Sequence, residues 1–199
     1  MARETGLIFN NPEKNCDIHF KLEVLPPTCF TFAFQLQHMK ATVRKAKRSD
    51  SASILNLIKE LALFEKEPES VQLTVTDIEQ HGFGDQPKFE CLVAEVEQQV
   101  VGMALYYPRF STWKGPTFHL EDLIVSEQFK GKGIGTQLYS AFIQQSYEVG
   151  VERIEWNVLD WNTPAVKFYE KSGAQVLTDW RTVQMHRPAM KNYLNTTTQ

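Results

Sequence analysis

The stretch FKGKGIGTQL, residues 129–138, crowds Gly131, Gly133 and Gly135 together in a chain that has only ten glycines. A glycine turn that opens a helix gathers backbone N–H groups without intrahelical partners at the positive end of the helix dipole, and that combination suits a pyrophosphate. Lys130 and Lys132 add positive charge beside it. A turn that only needs unusual backbone angles and holds no ligand is the competing reading. Spacing excludes two familiar phosphate loops: G-x-x-x-x-G-K-[ST] is absent, and the dinucleotide pattern G-x-G-x-x-G would need glycine where Thr136 stands. Just upstream, FHLEDLIV carries Glu121 and Asp122 inside an otherwise apolar run.

These groups need a scaffold, and the sequence supplies a regular alternation of elements from Met39 onward. ATVRKA reads as a first strand, after which Ser49 or Asp50 caps a helix with Ile54, Leu57, Ile58 and Leu61 on one face and Phe64 and Glu65 at its exit. A second short helix begins after Thr74 or Thr76 and stops at HGFGDQP. FECLVAEV and QVVGMALYY form a hairpin, and FHLEDLIV is the next strand. In such a strand Asp122 is expected on the face opposite Glu121 and in a structural role. The glycine turn then opens a helix marked by Ile134, Leu138, Phe142 and Val149 and closed by Gly150. VERIEWNVL alternates as a strand, and NTPAVKFYEKSG is a short helix capped by Asn162 or Thr163. Two final strands, near AQVL and TVQMHR, complete the order β-α-α-β-β-β-α-β-α-β-β.

The domain is assigned to 39–190, with 191–199 as a polar tail expected to fray. Residues 1–38 lack a sustained helical period and contain Pro26–Pro27. They are read as an N-terminal extension, disordered or left by an upstream start. An additional strand pair built on FTFAF is the alternative.

At 199 residues with 42% apolar content the chain can bury one substantial core. Its net charge of −3, with no long basic block, argues against a nucleic-acid partner. Cys16, Cys29 and Cys91 show neither disulfide nor zinc spacing, which fits a reducing cytoplasm and no metal. TCFTFAFQL is far shorter than the ~20 residues of a membrane helix, so no membrane partner is expected.

HLEDLIVSEQFKGKGIGTQL, followed by NTPAVKFYEKSGA, resembles the signature of the GNAT superfamily of N-acetyltransferases. Within it, LIKELALFEKEPESV, HGFG, CLVAEV, LEDLIV, GKGIG and WNTPAVKFYEKSGA are most similar to the diamine acetyltransferases, the spermidine/spermine and thialysine enzymes. The resemblance spans residues 40–187. It implies an α/β (α+β) fold with a central mixed, mostly antiparallel sheet, splayed between the LEDLIV and IEWNVLD strands and flanked by helices. Acetyl-CoA is the implied cosubstrate. N–H groups from Gly131 through Thr136, including Lys132 and Ile134, would hold its pyrophosphate, with Leu123, Ile124 and Val125 pairing with the pantetheine amides as an added strand would. Lys130 stands where the family usually has Arg or Gln. Gly133 and Gly135 are the positions least expected to tolerate a side chain.

The same resemblance assigns chemistry to particular side chains. An alkylamine of pKa ~10.4 is protonated at neutral pH, and freeing its lone pair costs about 4–5 kcal/mol, so a base is useful. Glu121, a carboxylate in an apolar strand beside the cosubstrate, can attract the ammonium and accept its proton. Tyr169 stands where the family has its acid tyrosine, placed to protonate the departing thiolate, and Asn162 helps fix the cofactor arm. Glu65 matches an acidic substrate position, with Phe64 where Tyr is common, and Asp179 and Asp160 are further acidic candidates. His81, His119 and His186 are too scattered for a metal site or a relay.

The implied activity is direct acetyl transfer from acetyl-CoA to a primary amine of a polyamine, diamine or lysine-like molecule in a ternary complex, by a homodimer. A protein lysine or N-terminal acetyltransferase is the alternative enzyme, and an acyl-CoA-binding sensor the alternative without turnover.

Overall fold

Period-two alternation becomes a continuous antiparallel ladder in the computed structural model, which describes residues 40–197. The expectations for residues 1–38 lie outside the described residues. β1 (Thr42–Lys45) pairs with β2 (Glu90–Val96), β2 with β3 (Gln99–Ser111) and β3 with β4 (Gly115–Val125), all antiparallel. β5 (Ile154–Glu155) adds to β4 in parallel, giving the order β1-β2-β3-β4-β5. This is the mixed, mostly antiparallel sheet that the sequence implied.

Three helices bury one apolar face each, as their spacing requires. α3 (Ile134–Val149) packs Ile134, Leu138 and Phe142 against Leu92, Ala104, Tyr106, Phe118 and Leu120. α1 (Ser51–Phe64) and α2 (Val75–Phe83) cover the other face, with Ile54, Leu57 and Ile78 over Cys91, Val93, Met103, Leu105 and Ile124. Thr74 caps α2 by accepting from the Asp77 N–H, while the Asp77 carboxylate accepts from the Thr74 N–H at 2.8 Å. Asp50 does occupy the cap position of α1, yet its carboxylate is used elsewhere. It accepts from the Lys47 N–H at 2.7 Å and from the Arg44 guanidinium at 2.7 and 3.1 Å. Arg44 also donates to Glu95 on β2, so one guanidinium ties the first strand to the start of α1.

β4 and β5 stay together for only two residue pairs, Phe118 with Ile154 and His119 with Glu155. The strand expected over VERIEWNVL is therefore short, and beyond it the edge of β4 at Leu123–Val125 has no strand partner among the described residues. That is the splay expected of the sheet.

α4 (Thr163–Lys171) forms as expected, with Pro164 in its first turn. The two final strands do not form: residues 174–186 contain no strand. Val176, Leu177, Trp180 and Val183 have strand-favouring side chains but stand exposed, and β-propensity without a neighbouring strand and a buried face does not make a strand. A helix follows instead, α5 (Arg187–Thr197), so much of the expected tail is helical.

The Asp50–Arg44 pair yields a prediction about folding. Arg44 holds the Asp50 carboxyl below its usual range against the opposing effect of burial. A depressed carboxyl lends stability that is complete above its unfolded value of about 4 and is lost as pH falls through the lower folded value. Asp50→Asn should therefore cost about 2 kcal/mol at neutral pH. In urea denaturation the gap from the parent chain should narrow as pH falls below about 4, and a gap independent of pH would contradict this account.

Candidate active site

The glycine turn enters through Ser126, whose carbonyl accepts from the Phe129 N–H at 2.8 Å. Gly131 and Gly133 both take left-handed angles, with φ of 74° and 79°, and Gly133 is the cap residue of α3. Backbone conformation alone therefore explains these two glycines. Gly135 differs, because a Cβ there would meet only the Val125 Cγ2 at 3.7 Å, an ordinary contact. Packing within the chain therefore does not explain Gly135. A Cβ at Gly131 would meet nothing within 4 Å, so the turn is open on that side. The lysines lie along the turn: Lys130 reaches Glu127 at 2.5 Å and the Phe64 ring at 5.0 Å, while Lys132 sits 4.9 Å from the Phe129 ring.

The first N–H groups of α3, at Ile134, Gly135 and Thr136, have no intrahelical acceptor by position. The neighbouring unpaired edge of β4 offers more backbone groups at Leu123, Ile124 and Val125. A site of this form, an open strand edge leading to a helix start, fits an elongated ligand with amides along its length and a pyrophosphate at one end.

Beside the edge lies a β-bulge. The β3–β4 register runs Leu105 with Asp122, then Tyr106 with Leu120, which leaves Glu121 as the extra residue. Leu120 packs on the α3 side, whereas Leu105, opposite Asp122, packs on the side covered by α1. Glu121 and Asp122 consequently share the α1 face, which corrects the expectation that they take opposite faces. Burial raises the Asp122 carboxyl to about 7, with the charges of Glu121 and Glu65 acting in the same direction. Burial at the end of α1 also raises Glu65. The charges of Glu121 and Glu65 thus act on the buried Asp122, and the Glu121 side chain is about half exposed at 51%. Such a group favours a cation.

α4 carries an aromatic cluster. Tyr169 packs against Trp156 at 4.9 Å, Phe168 at 5.4 Å and Tyr139 at 5.7 Å, and burial pushes its phenol up to about 12. It is therefore a protonated donor throughout the neutral range. Asn162 uses its side-chain oxygen to accept from the Ala165 N–H at 3.4 Å, which starts α4. Phe64 lies 5.4 Å from Trp161, and Lys66 sits 5.1 Å from the Trp161 ring. Asp160 and Asp179 are exposed, and Asp179 falls in the strandless 174–186 segment without an ion pair among the described residues. Trp161 carries no signal of its own in the sequence; only the pairing of WNTPAV with the helix carrying Phe64 could have pointed to it. Among the described residues no group of three or more His, Cys, Asp or Glu side chains could hold a metal ion, and no helix is long and apolar enough to cross a membrane.

The comparisons with known proteins point to one family. The acetyltransferase (GNAT) family profile matches residues 52–174, from α1 through the end of α4. A thialysine N-epsilon-acetyltransferase from Bos taurus is 38% identical over 160 residues, covering 75% of this chain and 94% of that protein. The spermidine/spermine N(1)-acetyltransferase-like protein 1 of Homo sapiens is 34% identical over 155 residues, covering 73% of this chain and 22% of that protein. Among solved structures, an integron cassette protein from the mobile metagenome of V. cholerae shares the fold with a TM-score of 0.65 at 20% identity, covering 78% of this chain and 98% of that one. With the open strand edge, the glycine turn and the matched α1–α4 segment in place, the chain belongs to the GNAT acetyltransferase family and is an N-acetyltransferase.

Proposed function

We propose that this chain moves the acetyl group of acetyl-CoA directly to a primary amine of a diamine, polyamine or lysine-like small molecule. The observation that carries the reading is the bulge, which sets Glu121 and Asp122 on one face, within electrostatic reach of Glu65, at the point where the sheet opens. The similarity to thialysine and spermidine/spermine enzymes supports an amine acceptor. The exposed Val176, Leu177 and Trp180 support a homodimer that covers them, and the buried free thiol of Cys91 fits the cytoplasm.

In this reading Gly131, Lys132, Gly133, Ile134, Gly135 and Thr136 bind the pyrophosphate through backbone N–H groups, and Leu123–Val125 pair with the pantetheine amides. Acetyl-CoA supplies an activated thioester carbonyl. Glu65 and Asp122 hold the cationic acceptor, and Glu121 takes the proton from its ammonium, directly or through a water, which frees the lone pair for attack. Tyr169 donates to the departing sulfur. Its pKa near 12 compares with ~8.5 for an ordinary thiol, so complete proton transfer is uphill by about 5 kcal/mol. Tyr169 therefore acts chiefly by hydrogen-bonding to the sulfur as charge develops there.

Thiol release from acetyl-CoA with a panel of polyamines, thialysine, lysine and basic peptides tests the function. Release with small amines is expected; release only with peptides would favour a protein acetyltransferase, and CoA binding without release a sensor. Tyr169→Phe should lower kcat about 100-fold with little change in CoA affinity. Glu121→Gln should move the pH–rate profile towards alkaline pH, and an unmoved profile would remove Glu121 from the base role. Because a Cβ at Gly135 fits the chain, Gly135→Ala should leave urea stability unchanged while weakening CoA about tenfold, read by calorimetry. Unchanged CoA affinity would show that nothing approaches that backbone closely.

A further inference from the structure

His119 lies next to the bulge and has no part in the catalysis described above. Its side chain is 11% exposed, with Nε2 at 3.7 Å from the Glu121 Oε2. The ring stacks on Tyr107, its cross-strand partner, at 5.2 Å between centroids and 29° between planes. Nδ1 is sealed from solvent and has no hydrogen-bond partner among the described residues.

Charged and titratable groups surround the imidazole on three strands. Tyr107 and Arg109 come from β3, Glu121 from β4, and Glu155 on β5 is its register partner. Glu155 is already engaged by Arg109 and by Arg153. Burial, and less strongly Arg109, pushes the imidazole below its usual pKa while Glu121 opposes them. The ring is therefore neutral at neutral pH and carries one proton. On Nδ1 that proton would be a buried donor without an acceptor, and the Nε2 lone pair would face a carboxylate oxygen. On Nε2 the proton points at the carboxylate, which removes both penalties.

We propose that His119 is a positioning residue for Glu121, its Nε2–H donor directing the carboxylate to the amine and favouring the charged form that accepts the proton. The role rests on Glu121 acting as the base. The Nε2–Oε2 separation exceeds hydrogen-bond length, and rotation of the half-exposed Glu121 side chain closes it when the amine binds. Tyr107, whose phenol is raised by burial and then by the charge of Glu121 and a hydrogen bond to its carboxylate, stacks on the ring from β3 and engages the same carboxylate.

The test is the pH dependence of kcat/KM for the amine in the parent chain, His119→Gln, His119→Phe, Glu121→Gln and the His119→Phe, Glu121→Gln double variant. His119→Phe should lose about tenfold at neutral pH and move the acid limb upward by about one unit, with the KM for acetyl-CoA unchanged. His119→Gln, whose amide supplies a donor at similar reach, should stay within about threefold. In the Glu121→Gln background His119→Phe should have no further effect. The same loss with and without Glu121, or an unmoved acid limb, would overturn this role alone if Glu121→Gln itself moves the profile. An unmoved Glu121→Gln profile would overturn the base assignment and this role with it. Nitrogen-15 spectra of the parent chain give a reading that needs no variant: the neutral Nε2–H tautomer is expected, and the Nδ1–H tautomer would overturn the proposal.

Discussion

The early parting of β4 from β5 is the constraint on which the rest of the site depends. Two residue pairs hold the strands together, and past them the edge of β4 carries backbone donors and acceptors with no strand among the described residues to satisfy them. An open edge is a liability for a fold unless something pairs with it. Here the edge runs into the turn that starts α3, so one groove offers strand-like pairing along its length and helix N–H groups at its end. The two faces of the sheet are packed: α3 covers one through Leu138 and Phe142, and α1 the other through Ile54 and Leu57.

The second element is electrostatic. A bulge places consecutive carboxylates on one face, and burial, reinforced by the like charges, raises Asp122 into the neutral range. Such a cluster costs stability in the empty protein and is relieved by a cation, which is the arrangement expected where binding matters more than folding. The Arg44–Asp50–Glu95 network is the contrasting case, since each of its charges already has its partner within the fold. Position relative to the open edge separates the two kinds of acidic residue.

Local features were the legible part of the sequence. The periodicity of α1 and α3, the cap at Thr74 and the turn at Gly131 and Gly133 are all encoded within a few residues, and they stand where expected. The bulge is not local, because it exists only in the register of β4 against β3, so the face of Asp122 was misassigned. His119 was set aside because its sequence neighbours hold no other histidine, although its partners Tyr107 and Glu121 lie across a strand pair and one pleat away. The final strands failed for the same reason in reverse: AQVL and TVQMHR have the side chains of strands, but a strand requires a partner.

The claim at the centre of this account is that the open edge and the glycine turn together form one acetyl-CoA site. Amide hydrogen exchange with and without CoA addresses it directly. Protection gained at Leu123–Val125 and at Gly131–Thr136, in the same titration, is the predicted result. CoA that binds while leaving both stretches exchanging at their original rates would contradict it.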